Sequence, residues 1–223
     1  MLIGHLGVGL IGKKMDSRIP IWLLLVAAVF VDLINCLFLF IGLETVRVSP
    51  GFTRWVPIEI VSIPYSHSLL FEFLWALVMF GAVVLYARKR QIQNGVKAGL
   101  VLAVLVVTHY VCDVLVHVHD MALWPGSVKL GLGLWNFPLI SNTIEIGLFC
   151  GGLLLCASVL RYDTFRAKVY LGVYAAINIA LQLVSGFIPP FTTSVIVLSS
   201  NLLLTFIILI ALGWILDRKL ERA

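Results

Sequence analysis

His109, Asp113 and His117 follow one another at four-residue intervals inside a long apolar stretch of the chain. On an α-helix that spacing stacks three side chains along one face. Two imidazoles with a carboxylate between them could ligate a metal ion, or the carboxylate could orient a histidine from behind. A local hydrogen-bonded pair on a polar helix face is the plainer alternative. Five further ionisable residues lie within or beside apolar runs: His5, Asp32, His67, Glu72 and Glu145. Charge at membrane depth is costly, so such residues face a bundle interior or a wet cavity and mark function. All five histidines fall in the first 120 residues, an asymmetry that argues against random scatter.

Imidazoles and carboxylates without thiolates suit Zn²⁺ best, with Mn²⁺ or Fe²⁺ also accommodated. The candidate ligands are His5, Asp32, His67, His109, Asp113 and His117. Their number would serve one ion and its surroundings, or two ions bridged by Asp113 or Asp32. A metal-assisted hydrolase is the leading expectation, with Asp113 and Glu145 in catalytic roles, Glu145 as ligand or general base. Glu72, one turn beyond His67, reads equally as a supporting group or a buried polar contact. His119 and Asp120 read as loop residues. Cys36 lies one turn after Asp32, but it and Cys112, Cys150 and Cys156 read first as small buried hydrophobes.

The elements that must position these residues are membrane helices. The chain of 223 residues is 61% apolar and only 12% charged, with a mean hydropathy of +1.07. That lies outside the range of soluble domains, about half apolar and a quarter charged. Six runs are long enough to span the ~30 Å bilayer core, at 19–43, 67–87, 97–118, 138–160, 168–188 and 195–216. A shorter apolar helix over 2–12 is expected to be re-entrant or interfacial. The fold class is therefore all-α, a polytopic membrane bundle forming one domain over 1–223. Residues 1–150 bear the metal site and 151–223 add two helices. No alternating strand pattern competes with the spans.

Lys13, Lys14 and Arg18, then Arg88, Lys89, Arg90 and Lys97, then Arg161, Arg166 and Lys168, and finally Arg218, Lys219 and Arg222 mark alternate loops and ends. The other loops carry few cations, so both termini are expected on the cytoplasmic side of a bacterial inner membrane. This topology accounts for the net charge of +5, and no nucleic-acid partner is expected. The loops 44–66 and 119–137 are rich in Pro, Gly and Trp. Trp55, Trp124 and Trp135 read as an aromatic belt, or as part of a roof over a pocket. Counted from the cytoplasmic ends at 1.5 Å per residue, His109, Asp32, Glu145 and Asp113 fall at about 18, 20, 22 and 24 Å, while His5 reaches only about 12 Å.

In order along the chain, Gly4-His5, Val31-Asp32, Tyr65-Ser66-His67-Ser68-Leu69-Leu70 and His109-x-x-x-Asp113-x-x-x-His117 resemble the YdjM-like bacterial membrane proteins. Members of that family are described as metal-dependent hydrolases and sometimes as LexA-binding. The likeness covers about residues 1–150 and rests on the order of four motifs. The family has been compared with zinc-dependent phospholipase C and nuclease P1-like helical enzymes. That comparison implies Asp32, His67, His109 and Asp113 as core ligands. This chain departs from it where Pro-Tyr-Ser-His replaces the family's Arg-Gly-x-Thr-His, and in lacking a second His-x-x-x-Glu turn.

The expected substrates are phosphoesters of membrane lipids or lipid-linked intermediates, with Arg47, Arg54 or Lys129 placed to hold phosphate. A metal-ion or proton-coupled transporter using the same cluster is the alternative, although no internal repeat supports it. A non-catalytic scaffold held by buried polar pairs is the third reading.

Overall fold

The computed structural model describes residues 1–160, 165–185 and 194–220. Arg161, Arg222 and positions 186–188 of the fifth expected span lie outside them. The chain is an all-α bundle, with α1 (Ile3–Met15), α2 (Ile21–Ala28), α3 (Phe30–Phe40), α4 (Leu69–Lys89), α5 (Gly95–Val116), α6 (Pro138–Ala157), α7 (Phe165–Ser185) and α8 (Val195–Leu220). Five of these helices are long and apolar enough to cross a membrane, and α2 with α3, bent by 55° between them, is long and apolar enough as a pair to count as a sixth. Large apolar side chains face outward along them, among them Phe73 and Leu77 on α4, Leu100 on α5 and Leu139 on α6. In water such a surface would drive aggregation; against lipid tails it is at home. This is the architecture of a polytopic membrane protein.

The expected span 19–43 is broken at Val29, where the backbone leaves helical geometry. Neither proline nor glycine sits at the bend, so the usual markers of a kink are missing. The break puts Asp32 in the first turn of α3.

Helix α1 is enclosed by the bundle, with only Lys14 and Met15 exposed. Small residues make this possible. A Cβ built on Gly7 would lie 2.4 Å from the Leu148 carbonyl oxygen, and one on Gly152 would lie 2.0 Å from that of Gly7. Helices α1 and α6 therefore meet backbone to backbone, the contact that small residues permit between membrane helices. At the other end of α1, Lys13 donates to the Ile19 carbonyl at 2.8 Å and faces Asp217 of α8 at 3.7 Å. Asp217 also accepts the Ile21 and Trp22 amides, capping α2.

Two small antiparallel hairpins differ from the purely helical expectation: β1 (Thr45–Val48) with β2 (Ile58–Ser62), and β3 (Met121–Ala122) with β4 (Lys129–Leu130). Both lie in the long loops outside the spans, where strands of two to five residues are too short for alternation to register. Val46 pairs with Ile60 and Val48 with Ile58. Val46, with Ile63 just beyond the hairpin, packs on Leu39 at the end of α3.

Candidate metal centre

Helix α5 supplies the centre of the site. His109 and Asp113 are one turn apart on its buried face, each no more than 2% exposed. His109 Nδ1 lies 2.9 Å from the carbonyl oxygen of Ala28. A carbonyl only accepts, so Nδ1 carries the proton and the neutral ring offers its lone pair at Nε2. That carbonyl belongs to the last turn of α2, where helical carbonyls lack intrahelical partners. The break in the span is thus what presents it. His109 Nε2 points at Asp113 Oδ2 (3.3 Å) and Asp32 Oδ1 (3.7 Å). It is buried without a hydrogen-bond partner, as is Asp32 Oδ2. A lone pair facing two carboxylates is repulsive. The arrangement is balanced either by a second proton on the ring or by a cation between the three groups.

His67 is held the same way. It sits ahead of α4, in a turn closed by its own amide to the Ile63 carbonyl (3.2 Å) and by Ser68 Oγ to the Pro64 carbonyl (2.6 Å). The indole of Trp75 donates to the Tyr65 carbonyl at 2.8 Å and ties the turn to α4. Ser66 Oγ donates to Glu44 at 2.6 Å, and His67 Nδ1 lies 2.7 Å from the same oxygen. The hydroxyl has one proton, and it goes to the carboxylate, so Nδ1 must be the donor to Ser66. Glu44 is itself fixed by the Tyr65 and Ser66 amides, each at 2.8 Å, and by Asn35 Nδ2 at 2.8 Å. His67 Nε2 then faces Asp32 Oδ1 at 3.4 Å and Asp113 Oδ2 at 3.8 Å.

His117 caps α5 in an extended conformation, so it stands just past the helix on which the spacing placed it. The loop behind it is drawn in tightly: Gly133 donates to the His117 carbonyl at 2.6 Å. A Cβ at Gly131 would fall onto the Val118 carbonyl, which keeps that position to glycine. His117 Nδ1 faces Asp120 at 3.2 Å, and Nε2 turns toward Asp113 Oδ2 at 3.7 Å. The Trp135 ring covers it at 4.1 Å. A carboxylate behind an imidazole whose other nitrogen points inward is the outer-sphere pattern of metal-binding histidines.

His5 arrives from α1. Its ring stacks on His109 at 3.7 Å, and its Nε2 lies 2.9 Å from Asp113 Oδ1. The Met1 amino group approaches the same oxygen at 2.5 Å. Asp32, His67 and His109 form one group of converging ligand atoms, and His5, His109 and Asp113 another. Bonds of about 2.0–2.1 Å in a tetrahedron put ligand atoms about 3.3 Å apart. The 3.3 Å from His109 to Asp113 and the 3.4 Å from His67 to Asp32 match that edge. These residues fit a divalent ion.

Glu145 lies beside this set and reaches α1. Its Oε2 accepts the Leu2 amide at 2.7 Å and the Gly4 amide at 3.3 Å, capping the helix that carries His5. Glu72 is fully buried and belongs to neither group of converging ligand atoms. One of its oxygens accepts the Tyr110 amide at 2.9 Å and the other has no partner. The four cysteines are free thiols. Glu44, Ser66 and Asp120 are the members that spacing did not single out. Asp120, expected only as a loop residue, does lie in the loop after α5 but stands behind the His117 imidazole. Glu44 reaches Ser66 across 22 residues and through it His67, which no local pattern encodes.

A cavity of about 220 Å³ opens from the centre. Its lining combines the polar Asp32, His67, Asp113, His117 and Glu145 with the apolar Val46, Ile58, Ile60, Leu202 and Phe206. Trp55 and Trp135 line it too, so these tryptophans roof a pocket, while Trp124 is exposed. Among the described residues no Lys or Arg contributes to the lining. Arg47 is paired with Glu59 at 3.2 Å on the hairpin.

Fold and site together define a polytopic helical membrane protein with a buried His/Asp cluster able to hold a metal ion. No family model, no curated protein and no solved structure matches the chain.

Proposed function

We propose that the protein is a zinc-dependent hydrolase of the bacterial inner membrane, related to the YdjM-like proteins and acting on phosphoester bonds of lipids or lipid-linked molecules. Both termini are assigned to the cytoplasm, which puts the hairpins and the cavity mouth on the outer side. The observation that carries the reading is His109 Nε2, its tautomer set by the Ala28 carbonyl and its lone pair aimed between two carboxylates.

His67, His109, Asp32 and Asp113 would hold the ion, with His5 and His117 completing the set. When bound, the metal supplies Lewis acidity and lowers the pKa of water. The protein residues do the rest. Ser66 backed by Glu44, the Ala28 carbonyl and Asp120 hold the Nδ1 protons of His67, His109 and His117, so that Nε2 of each is the atom offered to the ion. Asp32 Oδ2, buried and without a partner, and the Glu145 carboxylate are placed to take the proton of the attacking water. In the balanced reaction the water oxygen bonds to phosphorus, the ester P–O bond breaks, and the proton passes to the leaving oxygen. The apolar part of the lining admits a lipid and excludes bulk water.

Elemental analysis of detergent-purified protein beside an Asp113→Ala variant is the test, followed by phospholipid turnover with and without chelator. Stoichiometric zinc that falls in the variant, with chelator-sensitive turnover, supports the reading. Protein that takes up no metal on reconstitution, or turnover indifferent to chelator and to Asp113→Ala, refutes it. Metal flux through proteoliposomes without hydrolysis would refute it in favour of a transporter.

A further inference from the structure

Helix α7 carries no acid or histidine and α8 carries only Asp217 in its last turn, yet the two helices wall the cavity that opens from the metal centre. Gln182 of α7 lines that cavity and is 1% exposed. Its amide orientation is set by a chain of bonds. Asn142 Nδ2 donates to the Pro138 carbonyl at 2.8 Å, leaving Asn142 Oδ1 as an acceptor. Gln182 Nε2 donates to that Oδ1 at 3.0 Å. Gln182 Oε1 is therefore turned the other way, buried and without a hydrogen-bond partner. A buried acceptor left alone costs about 1–3 kcal/mol, so a group that donates to it from the cavity would recover that loss.

Three further observations describe the donor. Asn142 is one turn before Glu145 on α6, so Gln182 stands at the level of the polar end of the cavity. Beyond it the lining is aliphatic and aromatic, with Ile58 and Ile60 from β2 and Leu202 and Phe206 from α8. Asp32, Asp113 and Glu145 line the cavity with no Lys or Arg beside them among the described residues. The Met1 amino group in the lining is already paired with Asp113, so an anionic group is offset chiefly at the metal, and a second negative charge would meet carboxylates.

Resting on the hydrolase reading, we propose that the substrate is a lipid phosphoester with a zwitterionic or neutral head, one apolar chain seated between the β1–β2 hairpin and α8, and a hydroxyl or amide N–H that donates to Gln182 Oε1. Lyso- and sphingoid-type lipids carry such a donor on the backbone beside the phosphoester, whereas in diacyl lipids the backbone hydroxyls are esterified. Gln182 is thus a specificity residue, and α7 and α8 are the substrate-binding part of the protein. A pocket that hydrogen-bonds a substrate hydroxyl rejects analogues without it, because its own polar group is then left unpaired.

The test uses the full chain in detergent and reads binding rather than turnover. The probe is lysophosphatidylcholine with a brominated chain, which quenches Trp55 and Trp135 in the cavity wall, compared with its 2-deoxy analogue. Wild type is expected to bind the hydroxyl lipid about tenfold more tightly. Gln182→Leu is expected to bring the two lipids to equal affinity with metal content unchanged. Leu202→Trp, which fills the apolar end, is expected to weaken both lipids together. Equal binding of the two probes by wild type, or a preference that survives Gln182→Leu, overturns the assignment of Gln182. Undiminished binding by Leu202→Trp overturns the seat of the chain. The hydrolase reading fails separately, through absence of metal or of chelator-sensitive turnover in a protein that still shows the lipid preference.

Discussion

The closest approach in the bundle ties the metal centre to the packing of α1, and a single methyl group should expose the link. In Gly152→Ala the new Cβ would lie 2.0 Å from the Gly7 carbonyl oxygen, where ordinary contact begins at 3.4 Å. The difference, 3.4 − 2.0, requires α1 and α6 to part by up to about 1.4 Å, since both atoms belong to rigid helical backbone rather than to adjustable side chains. His5 rides on α1 at 2.9 Å from Asp113 and 3.7 Å from the His109 ring. Metal–ligand distances tolerate only about ±0.2 Å, so a shift of that size removes His5 from the set while α5 keeps His109 and Asp113. Zinc affinity should fall at least tenfold, in the range seen when a supporting group is lost, and overpacking should cost about 1–3 kcal/mol. The neighbouring Gly151→Ala is the control. Its Cβ meets nothing within 4 Å, and the gain in helix propensity of up to about 1 kcal/mol should leave it as stable as wild type or more so. Competition against a chromophoric zinc chelator, with thermal unfolding of the same samples, measures both effects. Equal zinc affinity and equal unfolding temperature in the two variants would refute both the close packing and its coupling to His5.

Asp120→Asn should weaken zinc binding about 10–100-fold by removing the carboxylate behind His117, with helicity unchanged by circular dichroism. Asp217→Ala should lower unfolding stability by about 1–3 kcal/mol, because the Ile21 and Trp22 amides lose their acceptor and Lys13 keeps only the Ile19 carbonyl. The hydrogen bonds from Arg18 hold the Asp16 carboxyl below its ordinary value. Its contribution to stability is therefore complete above about pH 4 and fades as pH falls through the depressed folded value. Unfolding measured from pH 6 downward should show this loss in wild type and not in Arg18→Ala.

The spans and the polar residues inside them were legible because both signals are local. Twenty apolar residues read as a crossing, and a four-residue spacing reads as a helix face. His109 with Asp113 is the pair where spacing and structure agree most directly. What was not legible depends on contacts distant in sequence. Nothing in Ala27-Ala28-Val29-Phe30 announces a bend, since it is stabilised by what it presents to α5. Glu44 reads as a loop acid until Ser66 is folded against it. Depth counted along α1 left His5 short of the other ligands, because that count treats a helix enclosed by the bundle as if it rose from the interface. The two hairpins were missed for want of length, although Thr45–Val48 alternates exposed and buried positions once the cavity beneath it is known.

The bend at Val29 also affects the bilayer around it. Eight residues of α2 and eleven of α3 make helical rods of about 12 and 16 Å. Joined at 55°, they reach about 25 Å end to end, short of the ~30 Å hydrocarbon core. As a single crossing the pair is too short for tilting to correct, and the surrounding lipid would adjust by thinning, at fractions of a kcal/mol per ångström. The compressed patch lies alongside α3, which carries Asp32 and leads into the hairpin. A lipid there is held less firmly by its neighbours than one in the unperturbed leaflet, and its head already sits closer to the depth of the histidines. On the proposed lipid-hydrolase reading, the break that gives His109 its carbonyl also shortens the path a lipid would travel to reach it.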